Sequence, residues 1–381
     1  MTVKIDIKFL AGLLVGAVVV GVTVFMLTSG GDDGKKSENA SDGQTIEPVE
    51  PDKGDDKGDE DGGGDDPGGA APTEGLSLPV PEGGGKVRCP SPTKTVDDAG
   101  SLSAALAQAK PGDVIKMNPG TYAGKFVAKK SGTRSKPIFL CGDAQAIIDG
   151  GGVKKGYGFH LNGANYWRLV GFTVRNCQKG VIGDTTNGSI IQGLTVHDVG
   201  DEAIHLRKFS TGNIVQYNKI YNTGLRREKF GEGIYLGTAE SNWGSITGGK
   251  PDKSDNNVVR GNVIRATAEA IDIKEGTTGG KILNNVFDGS KIGGSKHNDS
   301  WVDVKGNNYL LEGNKGTKTP VDGFQTHEIL DGWGKGNVFR NNTITLAGGS
   351  GVGINDVRGG NTIDCDNKVT DGKLTKKGAC S

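Results

Sequence analysis

Carboxylates, lysines and histidines recur at matched places in six short segments, and in that pattern they could move protons on an acidic substrate. Glu269-Ala-Ile-Asp-Ile-Lys274 and Ser300-Trp-Val-Asp-Val-Lys305 define the frame. Glu202-Ala-Ile-His-Leu-Arg207 and Glu232-Gly-Ile-Tyr-Leu-Gly237 precede it, and Asp322-Gly-Phe-Gln-Thr-His327 and Ser350-Gly-Val-Gly-Ile-Asn355 follow. Each reads as a strand whose apolar residues (Ile271, Ile273, Val302, Val304) face inward while the polar ones face solvent. His205, Arg207, Tyr235, Lys274, Lys305 and His327 are the candidate catalytic groups. Gln325, with Trp301 and Trp333 close by in sequence, is a candidate for binding substrate. Stacked carboxylates repel unless a cation lies between them. Glu232, Glu269, Asp272 and Asp303 are therefore candidate ligands for calcium, with ion pairs to Lys274, Lys305 and Arg207 as the metal-free solution.

Positioning such a strip takes a repetitive scaffold. The segments return every roughly 20 to 40 residues, the range in which self-similarity signals a solenoid. Between them runs a second motif, an apolar pair followed by Asn, as in Asn213-Ile-Val-Gln-Tyr-Asn218 and Asn257-Val-Val-Arg-Gly-Asn262. Asn at coil corners can tolerate a left-handed turn and stack into a ladder. The chain has 66 Gly among 381 residues and 6% aromatic residues, which excludes a helical bundle and calls for a core of Val, Ile and Leu. The reading is all-β: a single right-handed parallel β-helix over about residues 90 to 364. Ser101–Ala109, with Leu102, Ala105 and Leu106 on one face, is expected to be a short N-terminal capping helix.

Three domains follow. Residues 1–28 contain an uncharged apolar run, Phe9 to Leu27, of about 19 residues, long enough to span a bilayer. Lys4 and Lys8 precede it, so the remainder should be exported, with a cleaved signal peptide as the rival reading. Residues 29–87 are an acidic Gly/Asp/Pro-rich stretch, read as a disordered tether. Residues 88–381 form the solenoid. Of 45 acidic and 45 basic residues, 17 and 7 lie before Arg88, which leaves 28 and 38, a domain charge of about +10. That balance suits a polyanion. Nucleic acid is not the expected partner, since the positive charge is scattered among carboxylates. Cys365 with Cys380 and Cys89 with Cys141 are the expected disulfides, leaving Cys177 as a buried hydrophobe.

Pro111-Gly-Asp-Val-Ile115 followed by Pro119-Gly-Thr-Tyr122 resembles the opening coil of the pectate-lyase-like right-handed parallel β-helix superfamily. Glu269-Ala-Ile-Asp-Ile-Lys274, with Ile282-Leu-Asn-Asn-Val-Phe287 after it, resembles the calcium-and-base coil of the chondroitinase B and alginate lyase family. That resemblance implies a polysaccharide lyase acting on a uronate polymer. Glu269 would help bind calcium, Asp272 would approximate a second ligand, and Lys274 would remove the proton. In the next coil the family has an Arg-His-Gly-like sequence where this chain has Val304-Lys-Gly306, so Lys305 would take the Arg role. Lys274 acts as a base only when neutral; a nearby cation (Lys305, Arg207 or the metal) is expected to lower its pKa, and the carboxylates around it push the other way unless metal occupies them. Tyr235, His205, His327 and Lys305 remain open as donors to the leaving group. The expected product is a monomeric extracellular lyase, tethered by its N-terminal segment and partnered by an anionic polysaccharide. The alternatives are a non-catalytic surface carbohydrate binder and a β-helix glycoside hydrolase or C5 epimerase.

Overall fold

A computed structural model describes residue 76 and residues 85–293, 298–378 and 380. The chain divides into units 1–50 and 51–381, and every described residue lies in the second. The proposed anchor and nearly all of the acidic linker fall outside the described residues. Among the described residues no helix is long and apolar enough to cross a membrane.

Strand follows strand at each corner, and each pairs in parallel with its counterpart one coil away, forming sheets of eleven, nine and ten strands. The nine-stranded sheet carries the frame described above. Its strands are β1 (Phe126–Ala128), β2 (Tyr157–Asn162), β3 (Lys179–Asp184), β4 (Ile204–Arg207), β5 (Ile234–Leu236), β6 (Ile271–Ile273), β7 (Ser300–Val304), β8 (Asp322–Thr326) and β9 (Ile354–Asp356). Ile204, Ile234, Ile271, Val302, Phe324 and Ile354 are successive partners and all are fully buried. The register follows from this stack, because a slip of one residue would put charged side chains into the core.

The corners explain the Asn repeats. Asn218, Asn262, Asn285, Asn314, Asn342 and Asn367 form a buried ladder, each side-chain amide donating to the next side-chain oxygen at 2.8–3.0 Å. The left-handed turn falls to the preceding residue in each of the first five: Tyr217, Gly261, Asn284, Gly313 and Asn341 all have φ between 53° and 70°. The ladder Asn therefore supplies hydrogen bonds, and its neighbour supplies the bend.

Helix α1 (Ala99–Ala107) is N-capped by Asp98 and buries Leu102, Ala105 and Leu106 in the core, the face read from sequence. Cys89–Cys141 and Cys365–Cys380 are disulfides, and Cys177 is buried and unpaired.

One candidate moves into the core. Trp301 is fully buried, packed on Phe287 and Phe324 at centroid distances of 6.4 and 6.1 Å, and cannot stack on a substrate. Two successive residues, Trp301 and Val302, point inward at this corner. Glycine makes the room: a Cβ on Gly316 would lie 2.4 Å from the indole.

Candidate active site

Outward-facing residues of the nine-stranded sheet form a grid. Its middle column runs His205, Tyr235, Asp272, Asp303, Gln325, Asn355, each the direct partner of the next. Two residues further along each strand stand Arg207, Lys274, Lys305 and His327. On the opposite side stand Lys179, Glu202, Glu232, Glu269, Ser300 and Asp322. Asp272 and Asp303 are thus neighbours on one face, and the three glutamates lie in successive coils, as the frame predicts.

The expectation that this strip faces open solvent is corrected. His205, Tyr235, Asp272 and Gln325 are each at least 94% buried. Segments 222–231 and 237–257 rise beside the strands and leave an open cleft over β3–β5. Ionic groups there are partly desolvated, which strengthens every charge–charge interaction.

Lys274 Nζ lies 2.9 Å from Asp272 Oδ2 and 4.9 Å from the centroid of the Tyr235 ring. Lys305 Nζ bridges Asp272 Oδ1 at 3.0 Å and Asp303 Oδ2 at 2.5 Å. Glu232, Glu269 and Asp272 bring one oxygen each within 4.8 Å of one another, all buried. Four carboxylates (Glu232, Glu269, Asp272, Asp303) therefore face two ammonium groups, a net −2 if all are ionised. Burial, then Glu202, Glu269 and Asp272, pushes Glu232 well above the usual carboxylate range. Burial and Asp272 do the same to Glu269. Burial opposes ionisation of Asp272 as well, but Lys274 and Lys305 hold its pKa down.

Protons or a divalent cation would neutralise this set. The donor chemistry fits calcium: three oxygen ligands converge, and Glu232 Oε2 is buried without a hydrogen-bond partner. Asp303, expected among the ligands, lies outside this trio, and its Oδ2 pairs with Lys305 at 2.5 Å.

The carboxylates around Lys274 push its pKa up, as expected where no metal occupies them: burial would lower it, yet Asp272, Glu275 and Glu232 outweigh burial and raise it. Arg207 Nε donates to Asp184 Oδ1 at 2.8 Å and its guanidinium also to the Tyr157 hydroxyl at 3.1 Å.

The other candidates are tied to neighbours. His205 Nε2 donates to the Gly237 carbonyl at 2.8 Å, its Nδ1 lies 3.4 Å from Glu202 Oε1, and burial lowers its pKa. His327 Nε2 donates to Gln325 Oε1 at 2.7 Å, and Gln325 Nε2 donates to Asp322 Oδ2 at 2.9 Å. Trp333 lies half-buried in the loop after β8, its backbone N–H donating to Leu330.

Sequence reasoning missed three participants. Lys179 pairs with Glu202 at 3.2 Å, and Asp184 pairs with both Arg207 and His160. Both belong to Lys179-Gly-Val-Ile-Gly-Asp184, which fits the same frame one coil upstream, so the signal was present. Glu275 had none. It is buried, accepts from the Glu240 backbone at 2.5 Å, and so ties segment 237–257 to the end of β6.

Comparison with known proteins gives the arrangement a context. A family model described as the Pel9A-like right-handed β-helix region matches residues 91–234. An alginate lyase from Paenibacillus sp. str. FPU-7 superposes with a TM-score of 0.70 at 35% identity, over 74% of this chain and 97% of that one. The pectate lyase Pel9A matches with a TM-score of 0.54 at 15% identity, over 76% and 82% of the two chains, a likeness of fold. Pectate lyase L of Dickeya chrysanthemi is 29% identical over 145 residues, 34% of this chain. The match spans about a third (32%) of that curated relative.

Proposed function

Since the chain belongs to the pectate-lyase-like right-handed parallel β-helix superfamily of polysaccharide lyases, in one family with the Paenibacillus enzyme, we propose that it cleaves a uronate-containing polymer by β-elimination. Lys274 is the base and Tyr235 the proton donor. The observation that carries the reading is the meeting of Tyr235, Asp272 and Lys274 in adjacent coils, with the ammonium over the phenol ring and Tyr235 lining the cleft.

Lys274 takes the proton from C5, α to the uronate carboxylate. The electron pair forms the C4–C5 double bond as the C4–O bond breaks, and the departing oxygen takes the Tyr235 phenolic proton. Tyr235 is preferred among the four donors because it lines the cleft and its ring lies 4.9 Å from Lys274 Nζ.

Glu232, Glu269 and Asp272 would hold calcium, which when bound supplies positive charge to neutralise carboxylates, including the substrate's. Lys274 is a base only once Asp272, Glu275 and Glu232 cease to stabilise its ammonium, and burial then favours the neutral amine. Lys305 stands beside Asp272, where it can stabilise charge developing on the substrate.

The reading includes location and partner. The protein is exported, monomeric, and held to the cell membrane by residues 1–28 through the acidic linker 29–87, where it meets anionic polysaccharide. The test is incubation with alginate and with polygalacturonate, with and without a calcium chelator, following the ultraviolet absorbance of unsaturated ends. Wild type should produce them, and Lys274→Ala and Tyr235→Phe should not. If neither these nor other uronate polymers yield unsaturated ends with calcium present, the non-catalytic binder replaces the lyase.

A further inference from the structure

We propose that Arg227 and Phe230 form a sugar-binding subsite on the upstream side of the cleavage point, an inference that rests on the lyase reading above. The segment that carries them is rigidly held. Arg226 makes a bidentate pair with buried Asp201 at 3.0 and 2.6 Å, and the backbone N–H groups of Arg226 and Arg227 donate to the Gly200 carbonyl at 2.8 and 3.3 Å. Thr223 donates to the Gly231 carbonyl, and Thr267 Oγ1 reaches Thr223 O and Glu228 O at 3.1 and 3.2 Å. Gly224 and Gly231 both press on Thr267, where a Cβ would lie 2.2 and 2.0 Å from its hydroxyl. A wall anchored on this many sides presents its tip in a fixed place.

At that tip Phe230 is only half-buried. The Arg227 guanidinium and the Lys229 ammonium lie 5.6 and 4.7 Å from its ring centroid. Phe230 and Arg227 line the same cleft as Tyr235, and Asn242 and Ser245 face them from segment 237–257. An aromatic face beside a guanidinium suits an acidic pyranose: the ring takes the apolar C–H face, and the planar fork takes the carboxylate. Across the cleft an amide and a hydroxyl match sugar hydroxyls. The subsite would engage the unit one coil before the reacting one, so its contribution depends on chain length.

The variants are Phe230→Ala, Arg227→Gln and the double change; Arg226, Asp201 and Thr267 are kept, so the wall stays pinned. Melting temperatures should match wild type. For alginate or polygalacturonate, whichever is cleaved, KM should rise about tenfold in either single variant, the scale of one charge-assisted contact. The change in kcat should be under about twofold, as expected when uniform binding is lost. The effect should shrink on the shortest oligosaccharides that are still cleaved. An unchanged KM on polymer, or a loss confined to kcat, overturns the inference while leaving the lyase reading intact. If wild type cleaves neither polymer, retardation in gels containing each polymer decides. Wild type retarded and the double variant not would support the subsite, and equal mobility would overturn it.

Discussion

Glu269→Gln separates the proton and calcium solutions to the carboxylate cluster. Without metal, burial and Asp272 push the pKa of Glu269 well above the usual carboxylate range, toward the protonated carboxyl that glutamine copies in shape and charge. The variant should therefore unfold in chelator within about 0.5 kcal/mol of wild type, as substitutions do when they break no pairing. With calcium the two should part. At a hundredfold excess over Kd, binding stabilises wild type by about 2.7 kcal/mol, a rise in melting temperature of roughly 5–10 °C at ~2–4 °C per kcal/mol for a domain of this size. One of three converging carboxylates is lost, and a tenfold weaker Kd would remove about 1.4 kcal/mol, half of that rise. Thermal unfolding of both proteins in chelator and across a calcium titration reads the difference. Equal calcium shifts would remove Glu269 from the ligand set. A large loss of stability in chelator would show that Glu269 is an ionised, paired group, contrary to the reasoning.

Three further outcomes are expected. Burial alone would raise the pKa of Asp184, but His160 and Arg207 hold it well below the usual range. Its stabilisation is thus complete above the unfolded carboxylate pKa of about 3.9 and lost as pH falls further. Asp184→Asn leaves the Arg207 guanidinium without its carboxylate, so it should cost about 3 kcal/mol at neutral pH by denaturant unfolding, with the gap to wild type narrowing below about pH 4. Burial pushes the Cys177 thiol up to about 12, so a thiol reagent at neutral pH should label the native protein only after unfolding. Trp301→Ala should cost roughly 3–5 kcal/mol as a core cavity with no selective change in KM, whereas a substrate-stacking role would show the reverse.

The scaffold was legible because its rule is local. Alternation in Glu269–Lys274 and Ser300–Lys305 sets which side chains point outward, and the pairing of Ile271 with Val302 carries that phase from coil to coil. The Asn218-to-Asn367 ladder follows from the same repeat, although sequence did not show that the left-handed turn belongs to the residue before each of its first five Asn. What was hidden depends on distant parts of the chain. Nothing local in segments 222–231 and 237–257 says that they wall a cleft. Trp301 looked available because strict alternation puts it outside; the two-residue inward corner and the space beside Gly316 reverse that. The pKa of Lys274 depends on charges brought in from an adjacent coil, and how far Asp272, Glu275 and Glu232 outweigh burial cannot be summed from one strand. Which carboxylates converge most closely, Glu232 with Glu269 and Asp272, depends likewise on how the coils stack.

The central claim is that Lys274 removes the proton. Lys274→Arg keeps a cation beside Asp272 but cannot supply a neutral base at ordinary pH. The most direct measurement is the rate of unsaturated-product formation by this variant, at saturating substrate and calcium, on a polymer that wild type cleaves. The account predicts a fall of about 10³-fold, within the range of a lost general base, with polymer retained normally in affinity gels. A rate within a few fold of wild type would contradict it and place the base elsewhere in the cleft.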